Sequence, residues 1–95
     1  MNLMAVSYLT SKARPEAFTG VVAVAPIAAG ELVAAYGGRS VDAELAVGEA
    51  HGNCALAGPT IVRATRDIEP GETLTLDERP LDHAVAGASR RAFAY

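Results

Sequence analysis

Two stretches of this chain share the pattern V-x-A-x-x-x-I-x-x-G-E at an offset of 41 residues: Val21, Ala23, Ile27, Gly30 and Glu31 recur as Val62, Ala64, Ile68, Gly71 and Glu72. Such an offset is expected of a duplicated supersecondary unit, against the alternative that any two β-hairpins look alike. Two copies are too few for a solenoid, so the units are expected to pack on each other. The second copy is the more explicit. Residues 61–65 are rich in β-branched side chains, and Thr73, Leu74, Thr75 and Leu76 alternate polar and apolar as a half-buried strand does. Between them stands Glu69-Pro70-Gly71-Glu72, where proline presets φ and the following glycine accepts a positive φ, the combination a type II turn requires. Each unit therefore reads as a hairpin of strand, turn and strand. The chain as a whole is expected to be mostly β, compact, built from small sheets and two similar hairpins, with little helix.

The 95 residues suffice for one domain with a modest core, and a composition that is 51% hydrophobic and 20% charged is that of a folding chain. A formal net charge of −3 argues against nucleic acid as a partner, since such surfaces concentrate Lys and Arg. No apolar run is long enough to span a bilayer. The apolar residues 3–9 are few, include Ser7, and precede Lys12 and Arg14, the reverse of a secretion signal. The single cysteine, Cys54, excludes an internal disulfide and fits a reducing compartment, so the cytoplasm is the expected location.

In chain order, residues 2–9 are expected to form a first strand, and residues 11–16, polar with Pro15, an exposed connection. Residues 21–25 are apolar throughout and predict a strand covered on both faces. The first turn follows at Ala28-Ala29-Gly30, and a returning strand runs from Glu31 to the Gly37-Gly38 pair. Residues 41–50, with Val41 and Leu45 four apart, suggest a short helix or helical turn limited by Gly48. His51-Gly52-Asn53-Cys54 reads as a polar turn, and loops of this kind carry chemistry disproportionately. Beyond Arg79-Pro80, small residues and Gly87 make a weak helix signal.

With those residues in view, the chain resembles a very small SET domain over residues 19–78 of a single 1–95 domain, leaving residues 79–95 as a C-terminal tail. The first unit is similar to the family's opening segment, a glycine-led strand, an I-x-x-G-E/D turn and a Y-x-G ending. The second is similar to the closing segment, in which R-D-I-x-x-G-E-E-L-T precedes Y-D-Y. His51-Gly52-Asn53-Cys54 resembles the asparagine-histidine-serine-cysteine element between them. Residues 60–80 taken alone also resemble SAF domains of the antifreeze-like kind. The SET resemblance implies a β-clip fold, S-adenosylmethionine as cofactor and protein lysine methyl transfer.

Position by position, the match is partial. Gly20 corresponds to the second glycine of the cofactor loop, but Phe18 stands at the first. Cys54 matches in one register of the asparagine-histidine element, and a shifted register gives Asn53 the asparagine's role. Leu76 and Glu78 occupy the positions of the family's two tyrosines. A carboxylate differs from a phenol in reach, charge and proton inventory, so the methyl-transfer group is not reproduced. The stretch from Gly38 to His51 is also too short for the insert that builds the peptide-substrate groove.

These residues supply the candidates: Glu78, Cys54, His51 and Tyr36 for catalysis, and Gly20 and Asn53 for cofactor binding. Glu78 would serve as an acid or base if partly buried, against the alternative of a solvated turn carboxylate. Cys54 with His51 has the elements of a thiolate and its base, against the alternative of a buried structural thiol. No ligand spacing points to a metal. Tyr36 either lines a cavity or is a half-buried strand aromatic. The leading expectation is a SET-like protein that has lost most methyltransferase features and binds or transforms a small molecule by acid/base chemistry, with no cofactor required. One alternative is an S-adenosylmethionine-dependent methyltransferase. Another is a non-catalytic carbohydrate- or protein-binding β-clip module. The small core and two apolar strands leave room for a homodimer.

Overall fold

The computed structural model describes residues 2–16 and 20–88, and in it the two sequence units clasp each other. The strands in chain order are β1 (Asn2–Ala5), β2 (Tyr8–Leu9), β3 (Ala13–Glu16), β4 (Gly20–Ala23), β5 (Leu32–Ala35), β6 (Glu44–Glu49), β7 (Cys54–Leu56), β8 (Ile61–Ala64) and β9 (Thr75–Asp77). One helix, α1 (Leu81–Ala88), follows them. Seven strands form a sheet in the order β1-β6-β9-β7-β8-β5-β2, and β3 and β4 form a second, smaller sheet. The fold is mostly β with little helix.

The strands flanking each turn do not pair with one another; each takes its partner elsewhere. Ile27 donates its N–H to Ile68 O at 3.0 Å, and Ile68 returns the bond to Ile27 O at 2.8 Å. Around this pair the bonds come in matched sets. Ala23 N–H reaches Glu72 O at 2.8 Å while Ala64 N–H reaches Glu31 O at 3.0 Å, and Gly71 N–H reaches Ala23 O at 2.8 Å while Gly30 N–H reaches Ala64 O at 2.9 Å. Each set maps onto its counterpart through the 41-residue offset, which makes the arrangement a pseudo-two-fold. The symmetry extends beyond the sequence motif: Ala13 faces Ala23 across β3 and β4 as Cys54 faces Ala64 across β7 and β8.

The repeated I-x-x-G-E now has a physical meaning. Ile27 and Ile68 are 1% exposed and fill the centre of the core beside Val21, Val62 and Leu74, all at 0%. Fully burying one such side chain contributes about 1.5–3 kcal/mol. Gly30 and Gly71 carry φ of +84° and +94°, as the third position of a type II turn demands. Glu31 and Glu72 close the turns. Glu31 N–H bonds to Ala28 O and Glu72 N–H to Glu69 O, while their carboxylates accept the Ala28 and Glu69 N–H groups at 3.1 and 3.2 Å. Each carboxylate also meets a cation, Lys12 at 2.8 Å and Arg66 at 3.0 Å.

The large sheet curls so that its two edge strands follow one another in the chain. β1 lies at one edge and β2 at the other, yet only Val6 and Ser7 separate them in sequence. Val6 donates to Ala43 O on one side, Ser7 donates to Ala35 O on the other, and Val6 is 0% exposed at the seam. The first strand is thus broken in two by its change of partner.

Three further expectations are corrected. Residues 41–50 contain strand β6 and no helix. Asp42 at φ +59° and Gly48 at +95° interrupt any helical run, while pairing with both β1 and β9 favours extension. Residues 13–16 are exposed at Arg14, Pro15 and Glu16 but form a paired strand, not a loose connection. Residues 21–25 are covered on one face only: Val21 and Ala23 are buried, whereas Val24 is 41% exposed because the two-stranded sheet has one covered face. Phe18 and residues 89–95 of the tail lie outside the described residues.

Candidate functional site

Tyr36 follows β5 and packs against the core cluster beside the glycine pair Gly37-Gly38. Its hydroxyl oxygen is shielded from solvent and has no hydrogen-bond partner among the described residues. Burial, reinforced by the nearby Cys54, pushes the phenol above its ordinary 10.0, so it is a neutral group at neutral pH, able both to donate and to accept. A buried hydroxyl left unpaired costs about 1–3 kcal/mol.

Cys54 opens β7 at 0% exposure, and burial pushes its thiol up to about 12. At that value the sulfur stays protonated at neutral pH; its S–H donates to Asn53 Oδ1 at 3.4 Å. The chain thus places Cys54 as a buried structural thiol. His51 stands exposed in the preceding turn. Among the described residues the two share no hydrogen bond.

Asn53 is 3% exposed and committed to the fold. Its Nδ2 donates to Thr73 O at 2.8 Å and its Oδ1 accepts the Thr75 N–H at 2.8 Å, so the amide imitates a strand partner for the chain entering β9. Its own N–H donates to Thr75 Oγ1 at 3.2 Å. Both ends of the side chain that a cofactor would use are occupied by protein. Gly20 is similarly hemmed in. With φ +88°, its side-chain direction faces Glu44 O, which would lie 3.2 Å from an added Cβ.

Glu78 is exposed just beyond β9. Its neighbour Asp77 is the buried one at 4%. Asp77 accepts Arg79 N–H at 2.9 Å and Arg79 Nε at 3.0 Å on Oδ1, and Arg79 Nη2 at 2.9 Å on Oδ2. Arg79, followed by the Gly52 N–H, holds the carboxyl below its ordinary 3.8. Arg79 also reaches Ala50 O at 3.3 Å, tying the turn at His51 to the end of β9. Gly52 completes this junction, since a Cβ there would stand 2.3 Å from Asp77 N.

The candidates thus divide into three groups. Cys54 lies in the core with Tyr36 packed against that core, Asn53 and Gly20 are taken up by structural contacts, and His51 and Glu78 face solvent. An open groove of about 320 Å³, lined by Leu56, Ala57, Gly58, Pro80, Leu81 and Asp82, contains none of them. Sequence reasoning missed Gly52, Asp77 and Arg79. The only available signal was the Asp-x-Arg spacing after a strand. Among the described residues no group of three or more His, Cys, Asp or Glu is gathered as metal ligands would be, and no helix is long and apolar enough to cross a membrane. Comparison with protein-family models, curated proteins and solved structures gave no match to this chain.

Proposed function

We propose that this chain is a SET-like β-clip protein that has given up methyl transfer and binds a small molecule through Tyr36. One observation carries the reading: the Tyr36 hydroxyl is the one shielded side-chain polar atom without a partner among the described residues. Asn53 and Cys54 are spent on the fold, and His51 and Glu78 are hydrated. A neutral phenol held in an apolar setting suits a ligand with a carbonyl, hydroxyl or amine that completes its hydrogen bonding. Glu78, at the position of the family's tyrosine, is exposed to solvent, so the reading assigns binding and no chemical step.

The test is a panel of small polar metabolites titrated into labelled protein and followed by amide shifts. A ligand of this site perturbs Tyr36, Gly37 and Gly38 in the wild type and loses at least tenfold in affinity in Tyr36→Phe. Compounds that bind Tyr36→Phe equally well, or that perturb only the groove at Leu56 and Leu81, would contradict the assignment.

The alternative of a protein-binding module is favoured by a separate observation, the open outer edge of β1, where Leu3 is 56% and Met4 38% exposed.

A further inference from the structure

We infer that the outer edge of β1 pairs with the same edge of a second copy of this chain, forming a two-fold dimer. This goes beyond the small-molecule reading and rests on the β1 edge alone.

Among the described residues three strand edges are not paired on both sides, and they are treated differently. β3 carries Arg14, Pro15 and Glu16, two charges and a proline that removes a donor, the usual protection against edge pairing. β2 is only two residues long. β1 has neither defence: it spans four residues, and no charged side chain precedes Lys12 in the sequence.

Its backbone is also poised. Val6 N–H points to β6 at Ala43 and Ser7 N–H points the opposite way to Ala35. Antiparallel alternation then turns Leu3 and Ala5 away from β6, with their N–H and C=O groups aimed outward. Two of the five large exposed hydrophobics among the described residues, Leu3 and Met4, lie on β1 itself.

A second copy is the occupant these features fit. Antiparallel pairing about a two-fold axis through Met4 sets Leu3 against Ala5 of the partner and Met4 against Met4 of the partner. The outward groups at 3 and 5 then form reciprocal hydrogen bonds. Copies of a chain with net charge −3 repel in general, and the uncharged β1 is where they approach without facing like charges. An edge of four residues offers few contacts beside a standard interface of roughly 800 Å² per partner, so the dimer is weak and concentration-dependent.

Sedimentation velocity on the full chain from about 10 μM to 1 mM, a range that brackets weak association, is the test. The wild type should shift from monomer toward dimer. Leu3→Lys, at a solvated position, and Ala5→Pro, which removes an outward donor, should remain monomeric with unchanged circular dichroism. Met4→Cys should form a disulfide-linked dimer on mild oxidation, because directly opposed non-hydrogen-bonded pairs lie within disulfide reach. A wild type that stays monomeric overturns the inference while leaving the Tyr36 reading standing. So does a dimer that persists in Leu3→Lys and fails to cross-link through Met4→Cys.

Discussion

Ile27 and Ile68 exchange both of their backbone hydrogen bonds, at 3.0 and 2.8 Å, across the axis relating the two 41-residue units. Because both side chains are buried at this crossing, truncating either to alanine should cost about 2–5 kcal/mol. The two losses should not add. A double-mutant cycle by urea unfolding is expected to show a coupling of about 0.5–3 kcal/mol. Additive losses would mean that the units pack independently.

Asn53 is expected to act on stability. Asn53→Ala leaves the Thr75 N–H and Thr73 O without their amide partner, a loss of about 1–3 kcal/mol. Asn53→Asp retains an acceptor for Thr75 but cannot donate to Thr73, so it should fall between the two in urea midpoint.

Of the glycines Gly20, Gly37, Gly38, Gly48, Gly52, Gly58 and Gly71, Gly52 leaves the least room for a side chain. Gly52→Ala would place a methyl 2.3 Å from Asp77 N, backbone that cannot yield without moving β9. Overpacking of this kind costs about 1–3 kcal/mol and sometimes more. At Gly58 an added Cβ meets nothing within 4 Å, so Gly58→Ala incurs only the strain of its φ of +115°. Thermal melts should rank Gly52→Ala well below Gly58→Ala.

Asp77 makes the fold acid-sensitive. Its folded carboxyl titrates below 3.8, so the unfolded chain takes up the proton first as pH falls. The stabilisation is complete above that ordinary value and is lost as pH drops through the lowered one. Asp77→Asn should be less stable at neutral pH and should show a flatter decline in stability from pH about 5 downward. An unchanged slope would assign the acid sensitivity to Glu31, held low by Lys12, and to Glu72, held low against desolvation by the Glu69 N–H and then Arg66.

The repeat was legible because it consists of core residues and turn glycines, whose identities are dictated locally. Its partnering was not. A strand-turn-strand sequence is compatible with a hairpin or with two crossed units, and only the long-range bonds of Ile27 and Ile68 decide between them. Strand β6 was misread because Val41 and Leu45 share helical spacing, while its two neighbours in the sheet are remote in sequence. The same applies to the site. Tyr36 stood out by its place before two glycines, but the demands on Asn53 and Gly52 come from β9, more than twenty residues away.

The central claim is that, under the SET-like reading proposed above, the chain has used its own groups, Asn53 above all, where a cofactor would bind. Calorimetric titration of the wild-type chain with S-adenosylmethionine at millimolar concentration tests it most directly. The account predicts no saturable heat and no thermal shift. Saturable one-to-one binding that Asn53→Asp weakens would contradict it and restore methyl transfer as the activity to pursue.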